Sequence, residues 1–198
     1  MAPVNAERVK AAVRELLRAI GEDPERPGLR DTPERFAEAY AELFSGLGQD
    51  PIALLRQADT VEAPGGAPIA LRDIPFVSTC EHHLLPFSGT ANVVYLPATR
   101  VIGLGRIPRV IDTLASRPQV QERLTEEIAD ALDAGLSPRG VLVTLTASHS
   151  CVWARGPRKA GTSMVTVAAR GALAEGADRG EAMMLLAGGE PPHRRGDE

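Results

Sequence analysis

Thr79-Cys80-Glu81-His82-His83 is the densest group of chemically capable side chains in the sequence. Cys80 and His83 stand in a C-x-x-H spacing, which lets one turn offer a thiolate and an imidazole to the same ion. Ser148-His149-Ser150-Cys151 supplies a further pair far downstream. In a regular strand His149 and Cys151 share the parity of Val141, Val143, Leu145 and Ala147, and so project from one face. Cys151 then completes Cys80 and His83 as a Cys2His set for Zn2+. Three protein ligands leave the fourth tetrahedral position to water, as in catalytic rather than structural zinc sites. Zinc lowers the pKa of that water toward neutrality. His82 and His149 remain for proton transfer, because imidazole titrates in the right range. Taken singly, each of these residues reads as a core histidine or a buried thiol. Taken together, they read as a metal centre.

A second group is basic: Arg106 and Arg109, then Arg155, Arg158 and Lys159. Arg106 and Arg109 fall three residues apart at a helix start, where guanidinium forks and free backbone N–H groups both favour anions. For Arg158 and Lys159 an ordinary solvated surface is an equal reading. The chain carries a net charge of −4, so it gives no reason to expect a nucleic-acid partner. Cations gathered beside a metal loop point instead to a small polyanionic substrate. Gln121-Glu122 opens a later helix. An exposed helical Glu is ordinarily just solvated. A carboxylate facing a guanine edge could accept from N1–H and the exocyclic amino group.

The elements that must hold these residues follow from periodicity. Residues 6–20 read as an amphipathic helix ending at Gly21. Asp31-Thr32-Pro33-Glu34 starts a second, with a capping residue, a first-turn proline and a back-reaching Glu. Ala63–Pro68 is a loop. Short strands are expected at Ile74–Thr79, Gly89–Leu96 and Arg100–Leu104. Helices are expected at Ile107–Ala115 and Pro118–Ala134, the latter opened by a capping box at Ser116 and striped by Val120, Leu124, Ile128 and Leu132. Residues 140–149 alternate and pair with Met164–Ala169, and a last helix spans about 178–186. The order is α+β, with helices on one face of an antiparallel sheet. The expected division is an N-terminal helical extension (1–65), a catalytic domain (66–186) and a disordered tail (187–198).

The 198 residues are 43% apolar, which suits a globular domain with its own core. No apolar run reaches membrane-span length, and the N-terminus lacks a signal-like apolar segment. A cytoplasmic location is expected. Reduced thiols there favour metal binding over a Cys80–Cys151 disulfide.

Ser78-Thr79-Cys80-Glu81-His82-His83-Leu84-Leu85-Pro86-Phe87, Gly103-Leu104-x-Arg106-Ile107-Pro108-Arg109, Arg117 through Thr125, and His149-x-Cys151 with Arg155-Gly156 together resemble GTP cyclohydrolase I. The likeness covers roughly residues 7–186, in the family's motif order. It implies the tunnelling fold (T-fold), a homodecamer with shared active sites, and conversion of GTP and water to formate and 7,8-dihydroneopterin triphosphate, a pterin and folate precursor. It implies zinc on Cys80, His83 and Cys151, and proton transfer by His82 and His149. Gln121 and Glu122 take the guanine-anchoring place, and Arg106, Arg109, Arg155 and Arg35 the triphosphate-binding places. The sequence departs from the family at Gly105, usually Ser, at Arg106, usually Lys, and at Glu38, usually Lys or Arg. A same-fold paralogue acting on another purine nucleotide, or a non-catalytic zinc-bound homologue, is the alternative.

Overall fold

The computed structural model describes residues 4–58, 60–62 and 66–188. Its elements run α1 (Ala6–Ala19), α2 (Thr32–Leu43), α3 (Pro51–Arg56), β1 (Thr60–Glu62), β2 (Ile69–Cys80), β3 (Pro86–Leu96), β4 (Arg100–Ile102), α4 (Arg106–Ala115), β5 (Pro118–Gln119), α5 (Gln121–Leu136), β6 (Gly140–His149), α6 (Ser150–Trp153), β7 (Met164–Gly171) and α7 (Gly176–Leu186). The expected tail from residue 189 onward, and the expected domain boundary near residue 65, lie outside the described residues.

Five strands form one sheet in the order β5-β2-β3-β6-β7. All its pairings are antiparallel except the short parallel contact of β5 with β2. The α+β class and the antiparallel sheet are those the periodicity calls for. Ile74, Phe76, Ala91, Val93, Tyr95, Val141, Val143 and Leu145 turn one face of the sheet toward α3, α4 and α5. Leu124, Ile128 and Leu132 of α5 are fully buried against it. Burying each such side chain contributes about 1.5–3 kcal/mol. The α7 helix instead meets the opposite face, where Ala182 packs with Val94, Leu96, Leu142 and Leu173.

Three local expectations are corrected. Glu34 does not reach back to cap α2; it pairs with Lys10 of α1 at 2.6 Å, a cross-helix ion pair that fastens the two helices. Pro118-Gln119 do not begin a helix. They add a parallel strand beside Thr79 and Cys80, because Gln119 is buried and its backbone carbonyl accepts from Glu81 N–H at 3.0 Å. The strand of His149 also stops there: Ser150–Trp153 coil into one helical turn. Cys151 is therefore delivered by a helical turn and not by strand parity.

Candidate metal and active site

The C-x-x-H spacing works through the β2–β3 hairpin. Thr79 pairs with Pro86, and Cys80 N–H donates to the Leu85 carbonyl at 2.8 Å. Within that loop Leu84 N–H returns to the Cys80 carbonyl at 2.8 Å, and Leu84 takes a φ of 52°, a left-handed conformation unusual for a side chain of its size. The tight turn folds His83 back over Cys80, with Nδ1 3.9 Å from the Cys80 sulfur. Behind the loop, Arg123 is bonded to Glu81, to the Pro118 carbonyl at 3.0 Å and to Gln119 Oε1 at 3.0 Å. This network holds the ligand loop on α5.

Across the sheet, Phe87 of β3 is the cross-strand partner of His149 of β6. One helical turn beyond, Cys151 comes to the same place. The ligand atoms of Cys80, His83 and Cys151 all lie within 4.8 Å of one another, and the two cysteines are not joined. Tetrahedral zinc with two sulfurs and a nitrogen needs ligand separations of roughly 3.5–3.8 Å, so small side-chain adjustments close this triad on one ion. Burial pushes the Cys151 thiol up, and the neighbouring Cys80 adds to that. Two thiolates this close repel each other, and a divalent cation between them removes the conflict.

His149 is half-buried, and burial lowers its pKa, opposed in part by the charge of Glu122. That opposition sets Glu122, in the exposed first turn of α5, within electrostatic reach of the imidazole. Gln121 beside it is buried, although the apolar stripe read from sequence omits it. Its amide oxygen sits 2.8 Å from His149 Nε2. His82 is exposed, its Nε2 3.9 Å from a Glu81 carboxylate oxygen.

Among the basic residues, Arg155 Nη1 lies 2.8 Å from His83 Nε2, at the rim of the triad. Arg106 and Arg109, with Gly103, Leu104 and Gly105, line a separate open hollow of about 440 Å3 at the α4 N-terminus. Among the described residues, no hydrogen bond or ion pair ties these two arginines to the triad. Arg35 is turned to Asp31 of its own helix at 3.2 Å. Arg158 and Lys159 are exposed. Around the Cys-His-Cys triad the structure therefore gathers His82, His149, Gln121, Glu122 and Arg155, and it does not bring Arg35, Arg106 or Arg109 to them.

An antiparallel sheet that brings two thiols and an imidazole to one point, with two more imidazoles beside them, defines a class of metal-assisted hydrolases. Within that class the chain belongs to the GTP cyclohydrolase I family, whose model matches residues 9–187. It is 60% identical over 179 residues to "GTP cyclohydrolase 1" of Leifsonia xyli, covering 90% of this chain and 94% of that one. It is 49% identical over 185 residues to "GTP cyclohydrolase 1" of Carboxydothermus hydrogenoformans, covering 92% and 95%. Among solved structures, it is similar to an apo archaeosine synthase QueF-Like at 20% identity and a TM-score of 0.46, covering 56% of this chain and 97% of that one.

Proposed function

We propose that the chain opens the imidazole ring of GTP at C8 by hydrolysis, releases formate, and recloses the product to 7,8-dihydroneopterin triphosphate. The convergence of Cys80, His83 and Cys151 within 4.8 Å carries this reading, supported by the family membership. The donor set of two thiols and one imidazole fits Zn2+ and leaves a position open. A bound zinc would supply the acidity that makes water a nucleophile at neutral pH.

The chain's own residues do the rest. Glu122 accepts from the guanine N1–H and amino group, which sets the purine beside His149. His149 protonates N7 as the ring is attacked at C8, and its burial keeps the imidazolium a willing donor. His82, exposed at the mouth of the loop, shares the later proton transfers of ribose rearrangement and closure. Arg155 holds the phosphate end nearest the triad, while Arg106, Arg109 and Arg35 take the remaining phosphate charge. Among the described residues no hydrogen bond or ion pair joins Arg106, Arg109 or Arg35 to the triad, which favours a site completed by a second copy, as in a homodecamer with shared active sites. Among the described residues no helix is long and apolar enough to cross a membrane, and we place the enzyme in the cytoplasm. We keep residues 1–65 as a helical extension of the catalytic unit at 66–186, although Leu55 of α3 is buried in the main core.

Incubating the purified protein with GTP tests the reading. Formate and a pterin that fluoresces after oxidation are expected, both abolished by a chelator and restored by zinc. Intact GTP beside fully zinc-loaded protein would refute it.

A further inference from the structure

Gln121 has a second task written into its surroundings. Its side chain is buried, and its Nε2 lies 3.1 Å from the Leu145 carbonyl oxygen, 3.0 Å from the Met164 carbonyl oxygen and 3.1 Å from Thr166 Oγ1. Carbonyl oxygens only accept, so the NH2 end of the amide must face them. The threonine agrees. Thr125 donates its one hydroxyl hydrogen to the Gln121 backbone carbonyl at 2.7 Å. Thr166, 2.6 Å from Thr125 Oγ1, must then donate to Thr125, which leaves its own lone pair for Gln121. The orientation of the amide is thus fixed by three neighbours and not by choice.

With the NH2 so placed, Oε1 is the atom that faces His149 Nε2 at 2.8 Å. An amide oxygen cannot donate, so Nε2 must carry a hydrogen. The plane of the ring is set by stacking on Phe87, with centroids 4.7 Å apart.

We propose that Gln121 is a positioning residue: its amide oxygen holds His149 with the hydrogen on Nε2, and together with the Phe87 ring it fixes the orientation of the imidazole. The proposal rests on His149 being a proton-transfer residue. It moves Gln121 from holding guanine to orienting the group that acts on it.

Neutron diffraction from perdeuterated crystals of the zinc-loaded enzyme reads the tautomer directly. Deuterium is expected on Nε2 of His149, between the ring and Gln121, with Nδ1 bare. Deuterium on Nδ1 with Nε2 bare overturns the proposal, whatever the variants do. Gln121→Met should lower kcat by roughly 100-fold while KM for GTP stays within about threefold, and Gln121→Glu, as a neutral carboxyl able to accept and donate in the same places, should recover most of kcat. A KM raised about tenfold with kcat intact would make Gln121 a guanine ligand and overturn the proposal. Deuterium on Nε2 together with unchanged kcat in a folded Gln121→Met would overturn the positioning claim alone, whereas unchanged kcat in His149→Ala would refute the role of His149 on which it rests. Should that variant fail to fold, the neutron result on the unaltered enzyme still decides the tautomer.

Discussion

The imidazole of His149 lies flat against the ring of Phe87, with the two planes 8° from parallel. The two residues are cross-strand partners on β3 and β6, so the sheet register itself sets the face of the imidazole. Phe87 is in turn held edge-on by Phe76 at 6.1 Å and is 1% exposed. A core aromatic cluster thus ends in the imidazole of His149.

Phe87→Leu should separate stability from site geometry. Losing the ring and its two aromatic contacts should cost about 1–3 kcal/mol, read as a lower Tm. Zinc content should stay unchanged, because the ligand loop is untouched, while kcat falls as the imidazole loses its stacking surface.

The ligand triad should behave as a unit. Cys151→Ala and His83→Ala should each yield folded protein that retains little zinc after dialysis, measured by metal analysis. GTP turnover in both should drop by about 1,000-fold or more, since each removes one of only three protein ligands. A variant that kept full zinc and activity would remove that residue from the centre.

Gly105 caps α4 without a side chain, and a Cβ added there meets open space. Gly105→Ser should therefore fold without strain and place a hydroxyl at the hollow lined by Arg106 and Arg109. Combined with Glu38→Lys, which inverts an exposed charge on α2, it should lower KM for GTP several-fold, on the order of 1 kcal/mol of binding. Unchanged KM would show that the phosphates bind elsewhere.

Acid should loosen the ligand loop in a defined window. The Arg123 guanidinium holds the Glu81 carboxyl below its ordinary pKa, with help from the charge of Arg123 and His82. A carboxylate depressed in the folded state adds stability above its unfolded pKa and loses it as pH falls through the folded value. In Arg123→Met that contribution is gone. The Tm gap between wild type and variant should be full at neutral pH and close on the acid side of the ordinary carboxyl range. A gap that persisted at lower pH would mean Arg123 acts by packing alone.

The sheet predicts one severe change. A Cβ on Gly89 of β3 would collide with the Thr146 backbone carbonyl of β6, and strand backbones cannot yield as a flexible side chain can. Gly89→Ala should lower stability by about 3 kcal/mol or more, measured by denaturant unfolding. A shift under about 0.5 kcal/mol would show the two strands are looser than described.

The legibility of this chain in its sequence was uneven for physical reasons. Alternation at Val141, Val143 and Leu145 named both the strand and the face that packs on α5, because residues of one parity share a face, while Leu142 turns to the face that α7 covers. The Cys80–His83 spacing was legible as a pair brought together, since a single hairpin turn relates them. Strand parity picked out Cys151, yet a helical turn brings it beside Cys80 and His83. Local patterns also misread Glu34 and Pro118, whose partners lie on distant elements. The hydrogen-bond surroundings of Gln121 could not be read from sequence. Its neighbours Leu145, Met164 and Thr166 come from two other strands, and only tertiary structure brings them together. The helix α3 was too short and too weakly patterned to announce itself, although Leu55 is buried in the core.

The central claim is that Cys80, His83 and Cys151 grip one zinc and leave a place on it open. Zinc K-edge X-ray absorption on the purified, metal-replete protein tests it most directly. Two sulfur neighbours at about 2.3 Å and two nitrogen or oxygen neighbours at about 2.0 Å are expected, with one sulfur lost in Cys151→Ala. A shell of any other composition, or zinc absent while Cys80 and Cys151 are bonded to each other, would contradict the account.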